Sequence, residues 1–230
     1  MFNSEPDDLN ALNRIKMSRR QLLSLSSIVP ALMIGNNAQA QTQEYVAGDF
    51  WNRPRTVWLK RPATNEEIRS TYWADGKIVN DQYLNLCNFL RDSRMANEIS
   101  RRKRNGISIP DDWFSTAQMS ITLLDILYAT NGWLAYAGIP RPIQINSGFR
   151  HVVTNNQTEG AKKNSHHIKG GAADIVVPGV HSAAVSSFGV WLRGGGIGWY
   201  PADEFTHVDD GQKRLWKCLP EEKHCRFKLL

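Results

Sequence analysis

Three segments in the second half of the chain carry side chains able to hold a metal ion and work around it. They are Ser147-Gly148-Phe149-Arg150, the run from Ser165 to Asp174, and the run from Glu204 to Asp209. A catalytic zinc takes three protein ligands from nitrogen, oxygen or sulfur donors and keeps one position open for water. His167, Asp174 and His207 offer two imidazoles and one carboxylate. The step of seven from His167 to Asp174 would put both on one helical face, but Gly170-Gly171 and the β-branched run Ile175-Val176-Val177 argue against a helix there. The reading is a glycine turn that lets the histidine and a strand-borne aspartate converge.

Hydrolysis at such a centre also needs a carboxylate to take a proton from water and pass it to the leaving group. Two flank His207. In extended chain, side chains two apart share a face, so Asp209 is the expected proton carrier. Glu204, three residues before, is the second candidate and reaches the centre only if Asp203-Glu204 lies in a loop or bulge. Arg150 has two readings: a bidentate clamp on a substrate carboxylate or carbonyl, or an ion pair holding the glycine turn. His166 adjoins a ligand and points away from it in extended backbone. His151, His181 and His224 lack ligand spacing and read as surface histidines; Ser165 and Lys163 are cleft candidates.

These residues need a frame. Ile143–Asn146, Ile175–Val177 and Ile197–Tyr200 read as short strands separated by glycine turns, with a helix over 182–192 between them. Ahead of them, Tyr83, Leu86, Cys87, Leu90 and Arg94 recur at helical spacing over 81–94, which makes Cys87 a small core residue. Pro110-Asp111-Asp112 opens a long helix that stops at Gly138-Ile139-Pro140. Arg53-Pro54-Arg55 favours extended backbone, and the basic run Arg101–Arg104 before Asn105-Gly106 reads as a solvated turn. Helices first and strands after give an α+β chain, mainly helical over 41–140, with a metal-binding sheet part over 141–217 and a tail over 218–230.

The chain has 230 residues, a net charge of +6 and 22% charged residues, which excludes disorder and collagen-like repeats and leaves room for one sizeable core. Three cysteines are too few for a disulfide framework. Residues 1–40 read as an export address. Ser18-Arg19-Arg20 precedes an apolar stretch from Leu22 to about Gly35, and Ala38-Gln39-Ala40 is a small-x-small cleavage pattern. The paired arginines are similar to those of a twin-arginine signal. The stretch is too short for a membrane anchor, so cleavage near Ala40 places residues 41–230, as one domain, in the periplasm or cell envelope. After export Cys218 and Cys225 can close a short loop; the competing reading is two free thiols in a frayed tail. A basic exported protein is drawn to anionic surfaces, among which nucleic acid fits least.

Ser165 to Asp174 (Ser-x-His-x-x-Gly-x-Ala-x-Asp), with Ser-Gly-Phe-Arg before it and Gly-Trp-Tyr-Pro and His-Val-Asp after it, resembles the zinc D-alanyl-D-alanine peptidase family. Within that family the likeness is greatest to the murein endopeptidase K type of the bacterial envelope. It runs from Trp58-Leu59 through Tyr72–Gly76 and Phe89–Asp92 to Arg214-Leu215-Trp216. The resemblance implies a hedgehog-like α+β fold whose antiparallel sheet carries one zinc on His167, Asp174 and His207, with N-terminal helices packed on it. It implies hydrolysis of bonds to D-amino acids in peptidoglycan stems or cross-links, and some relatives carry an acid three residues before the second histidine. The alternatives are a non-catalytic peptidoglycan-binding protein of the same fold and a metal hydrolase of another substrate.

Overall fold

The computed structural model describes residues 50–158, 160–219 and 225–229. The chain divides into two compact units, Met1–Pro54 and Arg55–Leu230. In the first, Phe50 and Trp51 pack edge to face with ring centroids 5.1 Å apart; the expected export signal and cleavage point lie outside the described residues.

The second unit opens with a hairpin of β1 (Arg55–Arg61) and β2 (Glu66–Ala74). In β1 Val57, Leu59 and Arg61 point inward and are buried. Bulky Trp58 faces outward, under the Arg69 guanidinium at 3.7 Å. An inward arginine and an outward tryptophan hide the alternation that marks a half-buried strand, which is why the segment before residue 80 did not read as strand. Asp75 and Gly76, both at positive φ, turn the chain into β3 (Lys77–Ile78).

The helical part is more broken than its periodicity predicts. The expected helix over 81–94 is two helices, α1 (Asn80–Phe89) and α2 (Ser93–Arg104), parted at Asp92, whose carboxylate accepts the Met95 N–H at 3.0 Å and caps α2. The basic run is the last turn of α2, where cations meet the negative helix end, rather than a turn. The long helix expected from Pro110 begins only at Ile121: α3 spans Ile121–Tyr136. Residues 107–120 stay irregular because other elements take their backbone groups. Ser115 O accepts from Asp92 N, Met119 N donates to Cys87 Sγ, and Ser120 N donates to Gly170 O. A helix would have used those groups internally.

Past α3 the chain forms β4 (Ile143–Ser147), a short helix α4 (Val152–Asn156), a 3-10 turn (His166–Lys169), β5 (Ala172–Val176), α5 (Ser182–Leu192), β6 (Gly196–Tyr200), β7 (Phe205–Asp209), β8 (Arg214–Lys217) and β9 (Arg226–Leu229). The nine described strands make one sheet in the order β3-β2-β1-β4-β5-β7-β6-β8-β9. Two pairs, β1/β4 and β6/β8, are parallel, so the sheet is mixed and not wholly antiparallel as expected. The first follows a crossover through the helices, which returns the chain in the same direction beside β1. The architecture is therefore mixed α+β, with a strand hairpin leading. Helices α1, α3 and α5 pack on the sheet through α1/β2, α3/β1 and α5/β6. Their core holds Leu59, Leu123, Leu127, Ile145, Ile175 and Ile197, each at most 1% exposed, and each such side chain contributes roughly 2 kcal/mol by burial. Cys218 and Cys225 are joined by a disulfide, which closes the tail onto the β8/β9 pair.

Candidate metal centre

Strand register builds the centre. Ser147 of β4, Asp174 of β5, His207 of β7, Gly198 of β6 and Trp216 of β8 lie in one row across the sheet, each the direct partner of the next. Residues aligned across neighbouring strands share a face. His167 comes to this row from outside it, on the 3-10 turn. Ser165 Oγ accepts the His167 N–H at 3.3 Å at the start of that turn, and Gly170 ends it at φ 69°. A side chain at position 170 would also collide with the Gln118 carbonyl, so glycine is required for the reversal. His166 thus lies in a 3-10 turn, not in extended chain, and its ring bonds Asp210 at 2.7 Å.

The three candidate ligand atoms converge. His167 Nε2 is 3.2 Å from His207 Nδ1 and 3.3 Å from Asp174 Oδ1, and the last two are 2.9 Å apart. These three residues form a group whose donor atoms could hold one ion. Tetrahedral bonds of 2.0–2.1 Å place ligand atoms about 3.3 Å apart, so the spacing fits a zinc-sized ion with little movement. Both imidazoles are also held on their far side. His167 Nδ1 donates to the Gly148 carbonyl at 2.7 Å, and His207 Nε2 donates to Asp209 Oδ2 at 3.0 Å. Acceptors behind each ring fix the tautomer that turns the other nitrogen inward.

Charge follows the same design. Burial disfavours the His167 imidazolium more than Asp174 favours it, so its pKa lies below the ordinary histidine value. For His207 burial also opposes charge, but its hydrogen bonds to the Asp174 and Asp209 carboxylates outweigh it and raise the pKa. Burial pushes the Asp174 carboxyl up, and the two histidines more than reverse that and hold it well below the usual carboxylate range.

The expected catalytic residues fall in different places. Arg150 donates through Nη2 to Asp174 Oδ2 and through Nε to Ser147 Oγ at 2.7 Å, which is the ion-pair arrangement. Asp209 shares the face of His207, as extended chain requires, and is fully buried. Its Oδ1 accepts from Gly196 N, Gly211 N and Arg214 Nη1, and its Oδ2 from Arg214 Nη2 at 2.6 Å besides His207. Burial raises its pKa, and these donors, His207 foremost, hold it well below the usual range. Glu204 is not brought to the centre. At φ 51° it turns toward α5, accepting from Ser182 N at 3.3 Å and facing His181 Nε2 at 3.4 Å.

Of the remaining residues, Lys163 is exposed, His181 caps α5, and His224 lies outside the described residues. His151 corrects the surface reading: it is 2% exposed, with its backbone N–H on Asp92 and Nε2 on the Asp112 carbonyl. Sequence reasoning assigned no role to Arg214, to the Gly148 carbonyl or to Trp216. The indole lies beside the His207 ring at 5.1 Å and donates to Tyr200 Oη at 3.1 Å. A Cβ at Gly198 would sit 2.5 Å from that indole, so glycine makes its place. The signal for Arg214 was present only as its place five residues after Asp209.

Residues 112–216 match the family model described as Peptidoglycan L,D-endopeptidase MepK. The peptidoglycan L,D-endopeptidase MepK of Escherichia coli strain K12 is 28% identical over 210 residues, covering 89% of this chain and all of the relative, and the Shigella flexneri protein of that name aligns equally. The probable peptidoglycan L,D-endopeptidase MepK of Haemophilus influenzae is 44% identical over 79 residues, 33% of this chain and 42% of the relative. No solved structure gives a significant match.

Proposed function

We propose, for a chain whose residues 112–216 belong to the murein endopeptidase K-type family of peptidases, that it is a zinc-dependent peptidase opening L,D peptide bonds of peptidoglycan in the periplasm. The observation that carries this is the convergence of His167 Nε2, Asp174 Oδ1 and His207 Nδ1 at spacings of 2.9–3.3 Å, with an acceptor behind each ring. Zinc held by these atoms supplies Lewis acidity toward the scissile carbonyl and toward water. Arg150 pairs with Asp174 Oδ2 and so keeps Oδ1 aimed inward. Asp209 holds His207 in the ligating tautomer, and Arg214 holds Asp209. All the oxygen positions of Asp209 are taken by five donors, so it acts through the imidazole and is a positioning residue rather than the proton acceptor. Trp216 and Tyr200 form an aromatic wall beside His207, suited to the apolar flank of a stem peptide.

Incubating the metal-replete protein with purified sacculi and weighing the released muropeptides tests the reading. Products cut at an L,D bond, absent after chelation, are expected. Intact sacculi, or D,D products, would sink it.

A further inference from the structure

A cavity of about 80 Å³ opens against the Ser147–Arg150 loop that also carries the centre's supports. Four arginines line it: Arg61, Arg91, Arg94 and Arg150. Arg61 is 3% exposed. Its Nη1 donates to the Phe89 and Arg91 carbonyls at 2.7 Å and its Nη2 to Ser93 Oγ at 3.2 Å, while Nε is buried with no partner among the described residues. A buried guanidinium N–H left unpaired costs the desolvation of a charged donor. Arg61 thus brings to the cavity wall a guanidinium that the described residues do not fully satisfy.

Charge bookkeeping agrees. Arg91 is paired with Glu66 and Arg150 with Asp174. Asp92, the one carboxylate lining the cavity, spends its oxygens on the Met95 and His151 N–H groups. Arg94 is exposed and has no ion-pair partner among the described residues. Four guanidiniums against these three carboxylates leave one positive charge, and the N-terminal end of α2 at Ser93 and Arg94 adds the positive pole of a helix dipole. Burial and the neighbouring Arg91 lower the Arg61 pKa, against the opposing pull of Glu66 and Asp92.

We propose that this cavity is a carboxylate subsite that takes one free carboxylate of the peptidoglycan stem peptide while the scissile bond lies at the metal centre. The inference rests on the proposed peptidase reading for its substrate. The two places share the loop: Gly148 supports His167 and Arg150 supports Asp174, and both residues line the cavity. An acidic group seated beside Arg94 and Arg61 would set the position of the peptide along the sheet face. Guanidinium forks suit a planar carboxylate, and an amide in its place would bring donors against donors.

The test is calorimetric, on the full metal-loaded chain, with an uncross-linked synthetic stem tripeptide carrying free carboxylates and the same peptide with them amidated. The free form should bind about tenfold more tightly. Arg94→Gln, an exposed substitution that leaves the core alone, should shrink that gap to about twofold or less. Arg104→Gln, at the other end of the same helix, should leave the gap intact. Equal binding of the two peptides, a gap that survives Arg94→Gln, or a gap that Arg104→Gln removes equally would overturn the subsite. Sacculus digestion reads the other proposal separately: a persistent gap with intact sacculi condemns the hydrolysis and not the cavity.

Discussion

The Ser147–Arg150 loop touches two polar clusters that close their hydrogen bonds in opposite ways. Around His167, Asp174, His207 and Asp209 every outward-facing ring nitrogen and carboxylate oxygen has a partner within the protein, and only three atoms are left to face one another. Around Arg61 the partners run out: the guanidinium serves two carbonyls and a hydroxyl, and its Nε faces none. The first is rigid and pre-set, as a metal needs, since ligand direction decides whether an ion is held. The second is left incomplete, as a site for a mobile anion must be if the anion is to leave again. A buried polar cluster is thus informative at the atoms that lack partners, not at those that have them.

The largest break in this comparison is expected from His167→Ala. Two ligands hold an ion weakly, so metal analysis should find the purified variant without its metal, and muropeptide release should vanish. A variant that keeps both would show that the three inward atoms do not form the centre.

Asp209→Asn sharpens the contrast on the metal side. Losing the carboxylate behind His207 should weaken metal affinity about 10–100-fold, measured by competition with a chromogenic chelator. Glu204→Gln, across the sheet, should leave that affinity unchanged. Wild-type affinity in Asp209→Asn, together with a loss of about two to four powers of ten in turnover, would instead return the proton-transfer role to Asp209.

A smaller effect is expected from Gly198→Ala. The new methyl meets the Trp216 indole at 2.5 Å, and the indole must leave its place beside His207. A cost of about 1–3 kcal/mol in unfolding free energy is expected from such overpacking, with a shifted tryptophan emission. An unchanged melting curve and spectrum would mean that the wall is not fixed as described.

The amino-acid sequence by itself determined the residue types and their local frames. It marked His167, Asp174 and His207 as donors, the glycine turn between the first two, the helix over 182–192, and the shared face of His207 and Asp209, because each depends on neighbours within a few positions. It also made the Cys218–Cys225 loop one of two readings; the disulfide is present. Tertiary structure decided what depended on distant chain. The opening hairpin was hidden by an inward Arg61 whose Nη1 is held by carbonyls 28 and 30 residues away. The break before Ile121 follows from Gly170 and Asp92 claiming backbone groups of residues 107–120. Arg214 meets Asp209 because β8 lies parallel to β6 across one register, and Arg150 meets Asp174 because β4 and β5 are paired. Local spacing fixes which way a side chain can face; only the packed sheet brings partners to it, because hydrogen bonds and ion pairs act over about 3 Å while the residues that make them are scattered along the chain.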